Sequence, residues 1–206
     1  MLDFFIGAYE GRSAFLISIE FLAFVFGVWS VWLAKKAHIW VYPVGIIGTT
    51  LTMYLFYIDR LLGDMMMNAY YSLMSVYGWW EWSRKKQGAQ LRIVTRMSQK
   101  EKRWAFVIGL LTMAVTYSVY RLTKTNMDTS NVIDIFTSGV FFCAMWLMAR
   151  KKLENWTLWI VAHLITIPLY AYRGWGMLSL QYLIFTVLAT LGYYSWKKLI
   201  DSEKVR

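Results

Sequence analysis

This chain of 206 residues is short of charged residues and of cysteine. Charged residues make up 17% of the sequence, against about 25% in a soluble domain, and 58% of the residues are hydrophobic. The single cysteine, Cys143, excludes an internal disulfide. The composition predicts a polytopic membrane protein.

Motifs of several enzyme and receptor classes are also absent. The sequence has no GxxxxGK[ST] phosphate loop, no HExxH helix and no Ser–His pair with the serine in a glycine turn. The last apolar run has no lysine before Lys197, which excludes a retinal Schiff base. Apart from His163, the sequence has one histidine, His38, and no Cys or carboxylate cluster completes a set of metal ligands. We therefore expect no catalytic residues, no cofactor and no metal site, although a seven-helix receptor or sensor without transport stays an alternative.

Seven apolar runs have about the ~20 residues that a membrane-spanning helix needs. The N-terminus lacks a basic leader and a small-residue cleavage site, so we expect the first run to stay in the mature protein. These observations predict an all-α integral membrane protein with seven transmembrane helices. The runs lie at about 15–34, 39–58, 64–82, 104–121, 132–149, 155–172 and 177–196.

Basic residues alternate between the two ends of these runs. One set of ends carries seventeen lysines and arginines and the other carries five, which predicts an N-terminus outside and a C-terminus in the cytoplasm. Because the cations cluster between apolar runs and form no continuous stripe, we expect no nucleic-acid partner. Eight of them lie in the connection 83–103, which is predicted to rest on the anionic inner leaflet or, alternatively, to dock a soluble partner.

An internal repeat is visible in the aromatic and glycine pattern. Trp40 and Tyr54 are 14 residues apart, as are Trp156 and Tyr170, and "GWWEW" at 78–82 has the spacing of "GYYSW" at 192–196. This predicts one transmembrane domain over 1–206, with repeat one at about 15–82, a linking helix at about 104–121 and repeat two at about 132–196. The linking helix lets the second repeat start on the same side as the first, so we expect parallel repeats with the site between them. Chance recurrence of such patterns is the alternative.

The sixth run carries an aromatic stripe around one imidazole. Trp156, Trp159, His163, Ile167 and Tyr170 follow one another at helical spacing and share a face. Aromatic faces suit a flat heteroaromatic ring, especially a cationic one, and the imidazole suits a carboxamide or a ribose hydroxyl. We predict that Trp156, Trp159, His163 and Tyr170 bind substrate. The alternatives are a position in the interfacial aromatic belt for Trp156 and a structural role for His163.

Polar residues in other runs extend this candidate site. Asn68 and Tyr71 lie in the third run and Gln181 in the seventh, and the two amides have the alternative role of bonding neighbouring helices. Thr50 is a further candidate for the cavity, although its hydroxyl has its own backbone as a partner. Glu20, in the first run, reaches the outer surface or, in a second interpretation, couples transport to protons.

Glycine next to aromatic residues marks the cytoplasmic ends of the third and seventh runs. Small residues allow helices to approach closely, so we predict that Gly78 with Trp79 and Gly192 with Tyr193 form paired gates.

Three blocks, "WVYPVG", "YYSLMSVYGWWEW" and "ENWTLWIVAHLITIPLYAY", resemble the Pnu family of bacterial vitamin transporters over nearly the whole chain. The resemblance implies a 3+1+3 fold related to the sweet and semi-sweet sugar transporters. It also implies an oligomer of self-sufficient protomers in the inner membrane. In that family, tryptophans on the sixth span and a following Asn or Asp contact the ligand; Trp156 and Trp159 match the tryptophans, and His163 replaces the polar residue.

The function that the resemblance implies is uptake of nicotinamide riboside for NAD biosynthesis. Transport would be facilitated diffusion, with trapping by a cytoplasmic kinase. Thiamine, or another vitamin or nucleoside, is the alternative substrate, because His163 departs from the family pattern.

Overall fold

The computed structural model of the protein describes residues 11–59, 62–86, 89–90, 93–123, 127–172 and 176–203. A two-stranded antiparallel hairpin, β1 (Lys85–Lys86) and β2 (Ala89–Gln90), lies between the third and fourth helices. The all-helical prediction is confirmed apart from this hairpin. The helices within these ranges are α1 (Ala14–Lys35), α2 (Val41–Ile58), α3 (Leu62–Ser83), α4 (Gln99–Leu122), α5 (Thr129–Ala149), α6 (Glu154–Tyr172) and α7 (Gly176–Glu203).

Each predicted apolar run coincides with one helix, and the largest differences are at polar ends. Helix α4 begins at Gln99 rather than near 104, and α7 continues to Glu203 rather than ending near 196. Hydropathy marks only the apolar part of a helix, whereas backbone hydrogen bonding continues through polar turns. At α4 a capping box sets the start, because Ser98 Oγ accepts from the backbone N–H of Glu101 and Glu101 Oε2 accepts from that of Ser98. Six residues of the charge count lie outside the described residues: Arg60, Arg92, Lys124, Arg173, Lys204 and Arg206.

Five of these helices, α1, α2, α4, α5 and α7, are long and apolar enough to cross a membrane. Helices α3 and α6 have 22 and 19 residues, but they carry polar side chains such as Asn68 and His163. A polar side chain is costly against lipid and is tolerated where it faces the interior of a helix bundle. The two less apolar helices are therefore the ones expected to line an internal site.

The helices pack in two sequential groups. Helix α2 packs against α1 and α3, α6 packs against α5 and α7, and α4 packs on α5. Contacts of α1 with α7 and of α3 with α5 join the groups. An internal space is thus bounded by helices from both ends of the sequence.

A buried cluster that we call the aromatic plug closes one end of this bundle. It consists of Tyr42, Trp82, Trp156 and Trp196, each at most 2% exposed. Tyr42 meets Trp82 edge to face at 5.0 Å, and Trp156 meets Trp196 edge to face at 5.5 Å, which is a favoured geometry for aromatic pairs. The indoles of Trp82 and Trp196 donate to the carbonyls of Ala149 and Ala34 at 2.9 and 2.8 Å. Each bond ties a helix of one group to the other group.

The connection between α3 and α4 is tied to the turn between α5 and α6. Thr95 and Lys152 form a parallel β-bridge, with the Thr95 N–H donating to the Lys151 carbonyl at 3.0 Å. The Leu153 N–H donates to the Thr95 carbonyl at 2.9 Å, and Lys152 Nζ donates to Thr95 Oγ1 at 2.9 Å. This connection therefore belongs to the folded end that holds the aromatic plug.

Candidate functional site

A central cavity of about 1200 Å³ lies between the two groups of helices. Helix α2 spans its length, with Tyr42 of the aromatic plug near one end and Asp59 just beyond the other. At the Asp59 end, Arg12 Nη2 donates to Asp59 Oδ2 at 2.7 Å. Because ligand pockets usually measure about 300 to 1000 Å³, the cavity has room for a nucleoside-sized molecule.

The structure brings seven of the eight predicted substrate-binding residues to this cavity. They are Trp156, Trp159, His163, Tyr170, Asn68, Tyr71 and Gln181.

Thr50 is the exception, because its side chain is exposed on the far side of α2. Thr49 and Thr52 line the cavity instead. Successive helical residues are about 100° apart, so residues three apart share a face while Thr50 lies between them on another. The structure therefore places Thr50 outside the cavity lining, one residue away from Thr49.

Four buried polar atoms in the lining have no hydrogen-bond partner among the described residues. One is Nε of Arg12, whose Nη2 is bound to Asp59. The other three are the Tyr42 hydroxyl, Trp156 Nε1 and His163 Nδ1, on residues that are 1%, 2% and 5% exposed. Burying a polar group without a partner costs free energy, and such groups in native proteins call for an explanation. A polar ligand in the cavity would supply the missing partners.

Aromatic rings surround the imidazole on several sides. The His163 ring lies 5.6 Å from Trp159, 5.3 Å from Tyr182 and 5.8 Å from Phe141, measured between ring centroids. Tyr71 lies 6.1 Å from Trp159. These rings come from α3, α5, α6 and α7, so the predicted stripe on one helix is one wall of a larger aromatic site.

The charged residues of the lining are mostly acidic. The lining contains three carboxylates, those of Glu20, Asp59 and Asp134, and one guanidinium, that of Arg12. Arg12 is paired with Asp59. The Tyr120 hydroxyl donates to Asp134 at 3.2 Å. The described lining therefore favours a cationic or neutral ligand over an anion.

Of the predicted gate residues, the two glycines lie at the aromatic plug. A Cβ on Gly78 would overlap the ring of Tyr42, and one on Gly192 would lie 2.7 Å from the Trp156 indole. Tyr193 is partly buried against the same cluster. Trp79 is 44% exposed and lies outside the plug. It is one residue from Gly78 and points to another side of α3, whereas Trp82, four residues from Gly78, lies on the same side as Gly78.

Lys151 is buried beside the aromatic plug. It is 3% exposed, and its Nζ lies 4.4 Å above the Trp82 ring. Burial lowers the pKa of Lys151 to about 8, because desolvation disfavours the charged form.

Sequence reasoning missed Tyr42, Phe141 and the plug tryptophans Trp82 and Trp196. The available signal was a constant spacing, because Gly78 and Gly192, Trp82 and Trp196, and Tyr42 and Trp156 are each 114 residues apart. The pairing of Trp40 with Trp156 uses a spacing of 116, so it passed over Tyr42. Phe141 lies in an apolar helix that gives no comparable signal. Within the described residues, no cluster of His, Cys, Asp and Glu has metal-binding geometry.

Known proteins are similar to this chain in sequence and in fold. The nicotinamide riboside transporter PnuC of Escherichia coli (strain K12) is 28% identical over 211 residues, covering 91% of this chain and 87% of that protein. The riboflavin/roseoflavin transporter RibM of Streptomyces davaonensis is 23% identical over 177 residues, covering 84% and 81%. A crystal structure of the vitamin B3 transporter PnuC has a TM-score of 0.71 at 24% identity, covering 89% of this chain and 82% of that one.

The family model for the nicotinamide mononucleotide transporter matches residues 17–198. This confirms the resemblance seen in the three sequence blocks, and the apolar helices agree with a multi-pass protein of the bacterial inner membrane. The chain belongs to the nicotinamide mononucleotide transporter family.

Proposed function

We propose that this protein takes up nicotinamide riboside across the inner membrane. The observation that carries the proposal is the set of unpartnered atoms on Tyr42, Trp156 and His163 inside an aromatic cavity. Nicotinamide riboside has a flat ring for the aromatic walls, and its carboxamide and ribose hydroxyls match a hydroxyl, an indole N–H and an imidazole. Its relatives named as nicotinamide riboside transporters support this substrate class.

The charge of the cavity favours the nucleoside over the mononucleotide. The pyridinium ring is cationic, and the described lining carries three carboxylates against one guanidinium, together with aromatic faces. A phosphate group would need an unpaired cation, whereas Arg12 is bound to Asp59 at 2.7 Å. We therefore place nicotinamide riboside ahead of its phosphorylated form.

Two other substrates and one other class of protein remain candidates. Thiamine also carries a ring cation, and riboflavin enters through the similarity to RibM. A receptor or sensor would bind the same ligand in the same cavity without moving it. Transport is preferred because similar proteins are named as transporters and the cavity is closed at one end by aromatic packing.

We propose that all seven helices cross the membrane and that repeat one, about 15–82, and repeat two, about 132–196, are parallel copies linked by α4. A register of 114 supports this. It relates Thr52, whose Oγ1 donates to the Gly48 carbonyl, to Thr166, whose Oγ1 donates to the Ala162 carbonyl. It also relates Ala37 to Lys151, which have φ of 51° and 53°. The distribution of basic residues supports an N-terminus outside and a C-terminus in the cytoplasm.

Alternating access would follow from movement of one repeat against the other. The aromatic plug, with Gly78 and Gly192, is the closed cytoplasmic gate of the state described above, and the Asp59 end is the outer mouth. Facilitated diffusion with trapping by a cytoplasmic kinase is the economical mechanism, and it needs no catalytic residue. The family resemblance supports an oligomer of self-sufficient protomers.

Titration of tryptophan fluorescence in the detergent-purified protein tests the proposal. The ligands are nicotinamide riboside, nicotinamide mononucleotide, thiamine, riboflavin and a deoxynucleoside. We expect saturable quenching by nicotinamide riboside, at least about tenfold weaker binding in His163→Ala, and unchanged binding in Thr50→Ala, the matched control.

Quenching by thiamine or riboflavin alone would replace the substrate and keep the site. Equal loss in both variants would remove His163 from the binding residues. Binding without uptake of labelled ligand into proteoliposomes would favour the receptor.

A further inference from the structure

A second cavity of about 630 Å³ lies away from the central one, between the start of α4 and the end of α5. Its polar end is lined by Ser98, Lys100, Glu101, Arg150 and Lys152, and its apolar side by Trp104, Trp146 and Ile108. We call this cavity the basic groove. It lies at the end of the bundle that carries most of the basic connections, where the apolar helix surface meets polar residues.

The basic groove keeps positive charge after its internal pairs are counted. Glu101 Oε1 accepts from Arg150 Nε at 3.2 Å and lies 3.1 Å from Lys152 Nζ, so one carboxylate serves two cations. Lys100 is exposed and makes no ion pair within the part of the chain that the structure describes. Arg150 uses only its Nε in this pair, which leaves its terminal guanidinium nitrogens available. An anion between Lys100 and Arg150 would meet a net positive charge.

The apolar side of the groove continues along the surface of α4. Trp104 is 62% exposed, and Leu111, two turns further, is exposed to the same extent. Arg150 lies with its guanidinium carbon 5.4 Å above the Trp146 ring. Tryptophan and arginine together are typical of the boundary between headgroups and acyl chains. The groove thus joins a cationic end to an exposed apolar track along α4.

We propose that the basic groove binds one anionic phospholipid of the inner leaflet, such as phosphatidylglycerol. Its phosphodiester lies between Lys100 and Arg150, and an acyl chain follows Trp104 and Leu111 along α4. Basic pockets between membrane helices on the cytoplasmic side bind such headgroups. Since α4 packs mainly on α5, the lipid would hold this helix against the second repeat.

Native mass spectrometry of the purified full-length protein tests this with phosphatidylglycerol and phosphatidylcholine at equal concentration. We expect one phosphatidylglycerol molecule to remain bound under activation that strips phosphatidylcholine. Lys100→Gln and Arg150→Gln should each weaken its retention about fivefold. Lys197→Gln, which removes an exposed charge from the same end of the molecule, should not.

Arg150→Gln removes a cation that is paired with Glu101, so it could weaken lipid binding through lost charge or through altered packing. Lys100→Gln removes no ion pair of the described residues, so a loss of lipid in this variant reports the charge alone. Equal retention of both lipids by the wild type, or an equal loss in Lys197→Gln, would overturn the lipid site. Either result would leave the proposed function standing, because none of the eight residues that line the basic groove lines the central cavity. Of the acyl-chain track, Leu111 alone also lines that cavity.

Discussion

Lys151 is a charged side chain buried at a packed end of the protein. Its ammonium lies above the Trp82 ring, and burial lowers its pKa from 10.5 to about 8. The unfolded chain therefore holds this proton at pH values where the folded protein has released it, and stability rises with pH from about 8 to 10.5. The same contact links the α5–α6 turn to α3, so stability at this end should depend on pH.

We expect the thermal unfolding midpoint of the wild type to rise, relative to Lys151→Met, between pH 8 and pH 10. Over this pH range, the free energy of unfolding of the wild type should rise by about 1 to 3 kcal/mol relative to that of Lys151→Met. Differential scanning fluorimetry in detergent measures it, with Lys197→Met as the exposed control. If the unfolding midpoints of wild type and Lys151→Met changed in parallel with pH, the lowered pKa of Lys151 in the folded protein would be contradicted.

At the scale of helices, the packing of α2 on α3 and of α6 on α7 depends on two glycines. Neither Gly78 nor Gly192 has room for a Cβ, because Tyr42 and Trp156 occupy that space. Both rings are held in turn by plug tryptophans, so they have little freedom to move aside. We infer that α2 packs closely on α3, and α6 on α7, at the aromatic plug only when both glycines are present.

Gly78→Ala and Gly192→Ala should each reduce uptake more than about tenfold while leaving membrane insertion intact. The overpacking cost is about 1 to 3 kcal/mol in the closed arrangement. Uptake of labelled nicotinamide riboside, normalised to protein in the membrane fraction, provides the measurement. Leu191→Ala is the control, since Leu191 is exposed beside Gly192 on the same helix and is not among the residues that line the central cavity. Wild-type uptake by both plug variants would remove the glycines from the gate.

The helix positions could be predicted from the sequence because the length of an apolar run is visible in the sequence itself. Gly78 and Gly192 were readable for a similar reason, since small residues beside aromatics recur at a fixed spacing. The structure places Trp79 outside the plug and Thr50 outside the cavity lining, because each is one residue, or about 100° of helical rotation, from a residue that faces inward. Tyr42 and Phe141 depend on contacts between separate helices, which no local pattern encodes.

For the molecule as a whole, orientation in the membrane is the property most open to a direct test. The only cysteine, Cys143, is buried and donates to the Ala105 carbonyl, so a Cys143→Ala background accepts introduced labels. Ser13→Cys and Ser202→Cys place thiols at exposed positions near the two ends of the described chain. We expect an impermeant maleimide to label the first from outside intact cells and the second only after permeabilisation. Labelling of both from the same side would exclude seven crossings.

The 114-residue register makes the two walls of the central cavity unequal. Gly45 and Thr49 correspond in it to Trp159 and His163, and all four line the central space. One wall therefore carries small side chains that leave room for cargo, and the other carries an indole and an imidazole that can contact it. Exchange of cargo during evolution would then proceed by two routes, altering the recognising wall or resizing the small one.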